Sequence, residues 1–149
     1  MIILKKEKFK IVGILVETDW ENIHIEMSKA WNIFKDRVDE IKSRKNKHYM
    51  DISLGIEKGK FRQIICVEVN NFENVPNKML FKEIPEQRYI YSKHIGQLKN
   101  IAKSFGEMYK WAEKNGYSTD EFKIDYGYTD KGLEEEHDLY IRIPNNKRM

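Results

Sequence analysis

Residues 88–116, RYIYSKHIGQLKNIAKSFGEMYKWAEKNG, decide the fold. Arg88 to His94 reads as a strand. The chain turns at Gly96 into a helix whose apolar residues recur at Leu98, Ile101, Ala102, Phe105, Met108, Tyr109 and Ala112, the spacing of one helical face. Asn115-Gly116 closes it, because glycine takes the left-handed cap conformation without a Cβ clash.

The first half of the chain carries a similar pattern. Phe9 to Glu17 is β-branched and apolar, hence a strand, and Gly13 inside it predicts a bulge or a close backbone approach. Thr18 to Asn22 is a polar turn, with Asp19 or Asn22 as a helix cap. A helix over Ile23–Arg44 follows, with the stripe Ile23, Met27, Ala30, Trp31, Phe34, Val38 and Ile41 facing a sheet. Tyr49–Ile56 and Gln63–Val69 read as strands around a turn at Lys58-Gly59. Asn70 to Lys78, with Pro76, joins two halves. Met79–Ile84 and Gln87–His94 read as a hairpin about Pro85-Glu86. Beyond the second helix, Phe122–Tyr128 and His137–Ile143 are strands around a turn at 129–132, and Asn145–Met149 is a polar tail.

Each half therefore reads strand, helix, strand, tight turn, strand, and corresponding elements are offset by about 73 residues. The residues do not repeat; the pattern does. The expected fold is α+β: two pseudo-symmetric β-α-β-β units, mainly antiparallel, with two helices flanking a central cleft. The halves run over about residues 1–70 and 79–149 of a single domain, 1–149.

Composition narrows the function. Charged residues make up 34% and hydrophobic residues 40%, the balance of a globular chain. A net charge of +3, with both signs interspersed, does not point to direct nucleic-acid binding. The longest like-charge run is Glu134-Glu135-Glu136. No signal-peptide pattern and no membrane-spanning window occur, which suggests a cytoplasmic setting. The lone Cys66, in the run Ile64-Ile65-Cys66-Val67, reads as a small buried residue. No HExxH, CxxC, GxSxG, P-loop or GxGxxG spacing occurs, and His24, His48, His94 and His137 lack ligand spacing. No cofactor, metal or catalytic residue is assigned.

Aromatics stand where they could line the cleft. Trp31 lies at one flank of the first helix's stripe, and Trp111 about 120° from the centre of the second's. Tyr89 and Tyr91 share one strand face, Tyr126 and Tyr128 share another, and Tyr140 lies in the last strand. Buried tyrosines need a partner for the hydroxyl, so a row of them suits an amphipathic ligand. Asp125 sits mid-strand, where Asp is unfavourable. A carboxylate among aromatic rings attracts a flat cation. The alternatives are that the tryptophans cover the sheet margin, that each tyrosine serves plain sheet packing at the surface, and that Asp125 faces solvent on the other side of the sheet; Asp51 and Glu68 carry weaker cases of the same ambiguity.

The chain resembles the GyrI-like, or AraC-type effector-binding, domain found in bacterial multidrug-responsive activators. The resemblance rests on Phe9-Lys-Ile-Val-Gly13, Ala30-Trp31-Asn-Ile-Phe34, Ile84-Pro85 with Tyr89, His94-Ile-Gly96, Trp111 and Asp138-Leu-Tyr-Ile-Arg-Ile-Pro144. It implies two strand-helix-strand-strand units around a cleft for hydrophobic, often cationic, small molecules. Members usually carry an acid, commonly Glu two positions before Tyr, in the strand that here is Phe122–Tyr128. This sequence departs from that pattern, with Lys123 or Ile124 at the position and Asp125 as the strand's acid. The implied ligand-binding set is Trp31, Phe34, Tyr89, Tyr91, Trp111, Asp125, Tyr126 and Tyr140. No helix-turn-helix accompanies it in these residues, so the expected function is stand-alone ligand binding, as an effector-binding or sequestering module of the transcription-regulator type. The resemblance carries two alternatives. One is a hydrolase of reactive electrophiles, using Asp125 with Tyr126 or Trp111. The other is an inhibitor-like module with a protein partner, DNA gyrase or a regulator.

Overall fold

The computed structural model describes residues 1–131 and 136–145. Its elements are β1 (Ile2–Lys6), β2 (Phe9–Thr18), α1 (Ile23–Arg37), β3 (Tyr49–Glu57), β4 (Lys60–Val69), β5 (Leu80–Ile84), β6 (Gln87–His94), α2 (Ile101–Lys114), β7 (Lys123–Tyr128) and β8 (His137–Ile143). All eight strands form one antiparallel sheet in the order β1-β6-β8-β7-β3-β4-β2-β5. That order is symmetric about the β7–β3 seam. The two units are β2-α1-β3-β4 and β6-α2-β7-β8, as the sequence pattern predicts.

Short links bend this sheet. Only Pro85 and Glu86 separate β5 from β6, yet six strand steps lie between them in the sheet. In a flat sheet those steps span about 29 Å, while three residues reach about 10 Å. The same mismatch holds for β1 and β2, joined through Glu7 and Lys8. The sheet must curl into a half-barrel until its two ends approach. One apolar cluster fills the inside of the curl and draws on every strand, among them Leu4, Phe9, Ile52, Cys66, Ile84, Tyr89, Ile124 and Tyr140. On the other face, α1 buries Ala30 and Phe34 against Val12, Ile65 and Val67. There α2 buries Ile101, Phe105, Met108 and Ala112 against Ile90, Leu139 and Ile141.

Several details differ from the sequence reading. The hairpin expected over 79–94 does not form: β5 pairs with β2, and β6 with β1 and β8. Turn-like Pro85-Glu86 marks a bend between two continuing strands, not a reversal. The first helix stops at Arg37 and runs on as one short 3-10 turn, Val38–Glu40. Beyond it the backbone is recruited by β4: Lys45 N–H donates to Glu68 O at 2.9 Å, and Asn70 N–H to Ser43 O at 2.9 Å. The second helix begins with a 3-10 turn, Leu98–Asn100, and ends at Asn115-Gly116. Strand β1 was not legible as such. Glu134 and Glu135 of the expected acidic run, residue 132 at the end of the expected turn over 129–132, and the tail from 146 lie outside the described residues.

Gly13 answers a close backbone approach. A Cβ there would meet Ile65 O at 2.1 Å and Cys66 Cβ at 2.6 Å, against backbone that cannot yield. Cys66 is fully buried, and burial pushes its thiol pKa up. Gly13→Ala is expected to lower unfolding free energy by about 1–3 kcal/mol or more. Gly106→Ala, in α2 with open space around its Cβ, should leave stability unchanged or raise it by up to about 1 kcal/mol. Urea midpoints at constant m-value measure both, and an unchanged midpoint for Gly13→Ala would contradict the packing described.

Candidate functional site

A cleft of about 820 Å³ opens between α1 and α2 over the β3–β7 seam. Its walls are apolar: Ile23 and Met27 of α1 face Ile101, Phe105 and Tyr109 of α2. Trp20 stands at the mouth, 67% exposed, with its ring 5.5 Å from that of Phe61. The floor is charged, formed by Asp51 and Ser53 on β3 and by Lys123 and Asp125 on β7. In the β3–β7 register Asp51 is the partner of Asp125, and Ser53 of Lys123.

One backbone irregularity builds this floor. Strict alternation would place Tyr126 and Tyr128 on the same face, as the sequence reading expects. The structure separates them: Tyr126 joins the cluster inside the curl, and Tyr128 joins the α1 face beside Asp125. The cause is Gly127, at φ 137°, a region that side-chain-bearing residues rarely adopt. The register shifts opposite it, between Tyr49 and Met50. The Tyr128 hydroxyl consequently donates to Asp125 Oδ2 at 2.5 Å. His137 Nδ1 lies 2.6 Å from Asp125 Oδ1, which fixes the tautomer with the proton on Nδ1. Both oxygens of Asp125 are thus engaged, and burial and the neighbouring charge raise the Tyr128 hydroxyl's pKa.

Asp51 is different. Its Oδ1 is buried without a hydrogen-bond partner among the described residues. Burial, and then the charge of Asp125 across the seam, push its carboxyl up to about 7, with Lys123 partly opposing. Lys123 is held below its usual range by burial, against the pull of Asp51, Glu121 and Asp120. No group of three or more His, Cys, Asp or Glu side chains placed to hold a metal occurs among the described residues.

Of the eight residues singled out from sequence, Asp125 lies on the cleft floor. Trp31 packs behind Tyr128, with ring centroids 5.1 Å apart, and Phe34 is fully buried beneath α1 against Tyr49. Tyr89, Tyr91 and Tyr140 form a ring cluster on the inside of the curl, with centroid spacings of 5.6 and 5.2 Å. Tyr91 donates to Asp138 at 2.6 Å, and the Tyr89 hydroxyl accepts from Gln87 at 2.7 Å. Tyr126 packs against His48 on that side, with centroids 5.3 Å apart and the rings tilted by 37°. Trp111 stacks on Tyr117, 5.7 Å and 9°, against the cluster that α2 buries. Sequence reasoning passed over Trp20, met Lys123 only as a departure from the family's acid position, named Tyr128 without carrying it into the ligand-binding set, and ranked Asp51 low. The signal for Asp51 was the one that found Asp125, an acid between apolar strand residues.

Asp51 also sets a stability dependence. Its folded carboxyl is raised, so the unfolded chain gives up this proton first. The associated stability is present at low pH and is lost as pH rises from the ordinary carboxylate range to about 7. Asp51→Asn is expected to raise unfolding free energy by about 1–3 kcal/mol near pH 8, with the gain shrinking toward pH 4. Thermal melts of both proteins across that range measure it; a pH-independent difference would contradict the assignment.

Known structures share this architecture. SAV2435, solved bound to tetraphenylphosphonium, superposes with a TM-score of 0.76 at 10% identity, over 95% of this chain and 92% of that one. The EcmrR C-terminal domain superposes at 0.71 with 12% identity, over 97% of each chain. In the EcmrR–DNA complex the value is 0.68 at 13% identity, covering 94% of this chain and 55% of that one. At such identities the likeness is one of fold. Comparison with curated proteins gives no match. The sequence matches the model of the GyrI-like small molecule binding domain over residues 1–145, and the chain belongs to that family.

Proposed function

We propose that the cleft between α1 and α2 is the ligand site, and that the protein is an effector-binding or sequestering module for hydrophobic molecules that carry positive charge or a hydrogen-bond donor. The observation that carries this reading is the unpartnered carboxylate oxygen of Asp51 at the bottom of an apolar cleft of drug-like volume. Apolar walls supply most of the affinity by burial. A desolvated carboxylate beneath them selects for a donor, because leaving it unpaired costs free energy. Tetraphenylphosphonium on the SAV2435 fold is in keeping with a lipophilic cation in this position. We place the protein in the cytoplasm, in keeping with the described residues holding no helix long and apolar enough to cross a membrane.

Tetraphenylphosphonium should raise the melting temperature and change Trp20 fluorescence at the cleft mouth. Gly106→Leu tests the location. Gly106 lines the cleft from α2, and open space surrounds its Cβ position. The variant should fold at least as stably as the parent, since leucine is the better helix former by about 1 kcal/mol. It should lose binding at least about tenfold, a cost of roughly 1.4 kcal/mol. Binding undiminished in Gly106→Leu would remove the cleft as the site.

A further inference from the structure

The charged floor specifies more than a cation. Its carboxyl and ammonium side chains are Asp51, Glu121, Lys123 and Asp125. Asp125 spends both oxygens on Tyr128 and His137. Glu121 accepts from the Ile56 N–H at 3.0 Å. Two groups remain without hydrogen-bonding partners. One is Asp51 Oδ1. The other is the Lys123 ammonium, which has no hydrogen bond and no ion pair within 4.0 Å among the described residues. It sits instead over the rings of Tyr109 and Phe105, at 5.7 and 5.9 Å. Because Ser53 is the register partner of Lys123, Asp51 and Lys123 are diagonal neighbours on one sheet face. Such positions are about 7–8 Å apart.

We propose that the cleft takes an amphoteric aromatic ligand, one that presents a hydrogen-bond donor to Asp51 and a carboxylate-like anion to Lys123. This rests on the cleft being the ligand site. A simple lipophilic cation satisfies Asp51 but is set against Lys123. A simple anion meets Lys123 but faces Asp51 and Asp125. A ligand bearing both groups, spaced to the diagonal, satisfies each. It also reverses both perturbations of the floor, since an added donor stabilises the charged form of Asp51 and an added anion the charged form of Lys123. Phe105 and Tyr109 line the same end of the cleft, so the anion meets Lys123 beside apolar rings, and a charge-assisted hydrogen bond is the strong kind.

The test uses two xanthylium dyes with the same rings and free amino groups, one a benzoic acid and the other its methyl ester. Fluorescence anisotropy with the full chain reads both affinities. The acid is expected to bind at least about tenfold tighter than the ester, the scale of one hydrogen bond to a charged group. Lys123→Met should abolish the difference, Lys123→Arg should keep it, and Asp51→Asn should weaken both dyes. Equal affinities in the parent protein, or a preference that persists in Lys123→Met, would overturn the proposal while leaving the cleft as a ligand site. The parent comparison stands even if a variant does not fold. If neither dye nor tetraphenylphosphonium binds, the ligand-site reading falls, and this inference with it.

Discussion

The pairing of β3 with β7 is the joint on which the molecule depends. It holds the two units together at their symmetry axis, with five register pairs from Tyr49–Tyr128 to Ser53–Lys123. The same pairing sets two acids opposite each other. In an antiparallel sheet, like charges directly across strands are unfavourable. The fold relieves one of them by giving Asp125 two donors, and leaves the other, Asp51, with a buried oxygen unmatched. The symmetry axis is therefore both the structural centre and the place of an unmatched buried carboxylate oxygen. Unsatisfied buried groups are rare in folded proteins and tend to mark function.

Much of the architecture was legible because periodicity reports burial. The α2 stripe from Leu98 to Ala112, the strands around Lys58-Gly59 and the repeated unit all followed from apolar spacing. What failed was pairing. Nothing local in Leu80–Ile84 says that it adds to β2 rather than folding back on β6, since both partners offer apolar faces and the choice is made by curvature of the whole sheet. Strand β1 was missed because five residues, two of them lysines, carry little pattern.

The site was legible only in part, for a similar reason. Assigning faces assumes strict alternation, and Gly127 breaks it. One glycine at positive φ moves Tyr128 to the cleft while Tyr126 stays inside the curl. The tyrosine cluster of Tyr89, Tyr91 and Tyr140 is real, but it lies inside the curl, with its hydroxyls near Gln87 and Asp138. Composition revealed an aromatic-rich core and could not say which side of the sheet each ring would occupy.

The crossed ends of the sheet bear on assembly of the chain. Strand β1 is made first but is completed only against β6, with Ile2 lying opposite Tyr91. Its partner emerges from the ribosome several seconds later, at the usual rate of about 5–20 residues per second. Until then the first strand has no edge to join. Contacts so distant along the chain also favour slow folding, because loop closure precedes any reward. Among the described strands, β1 thus waits longest for its first partner.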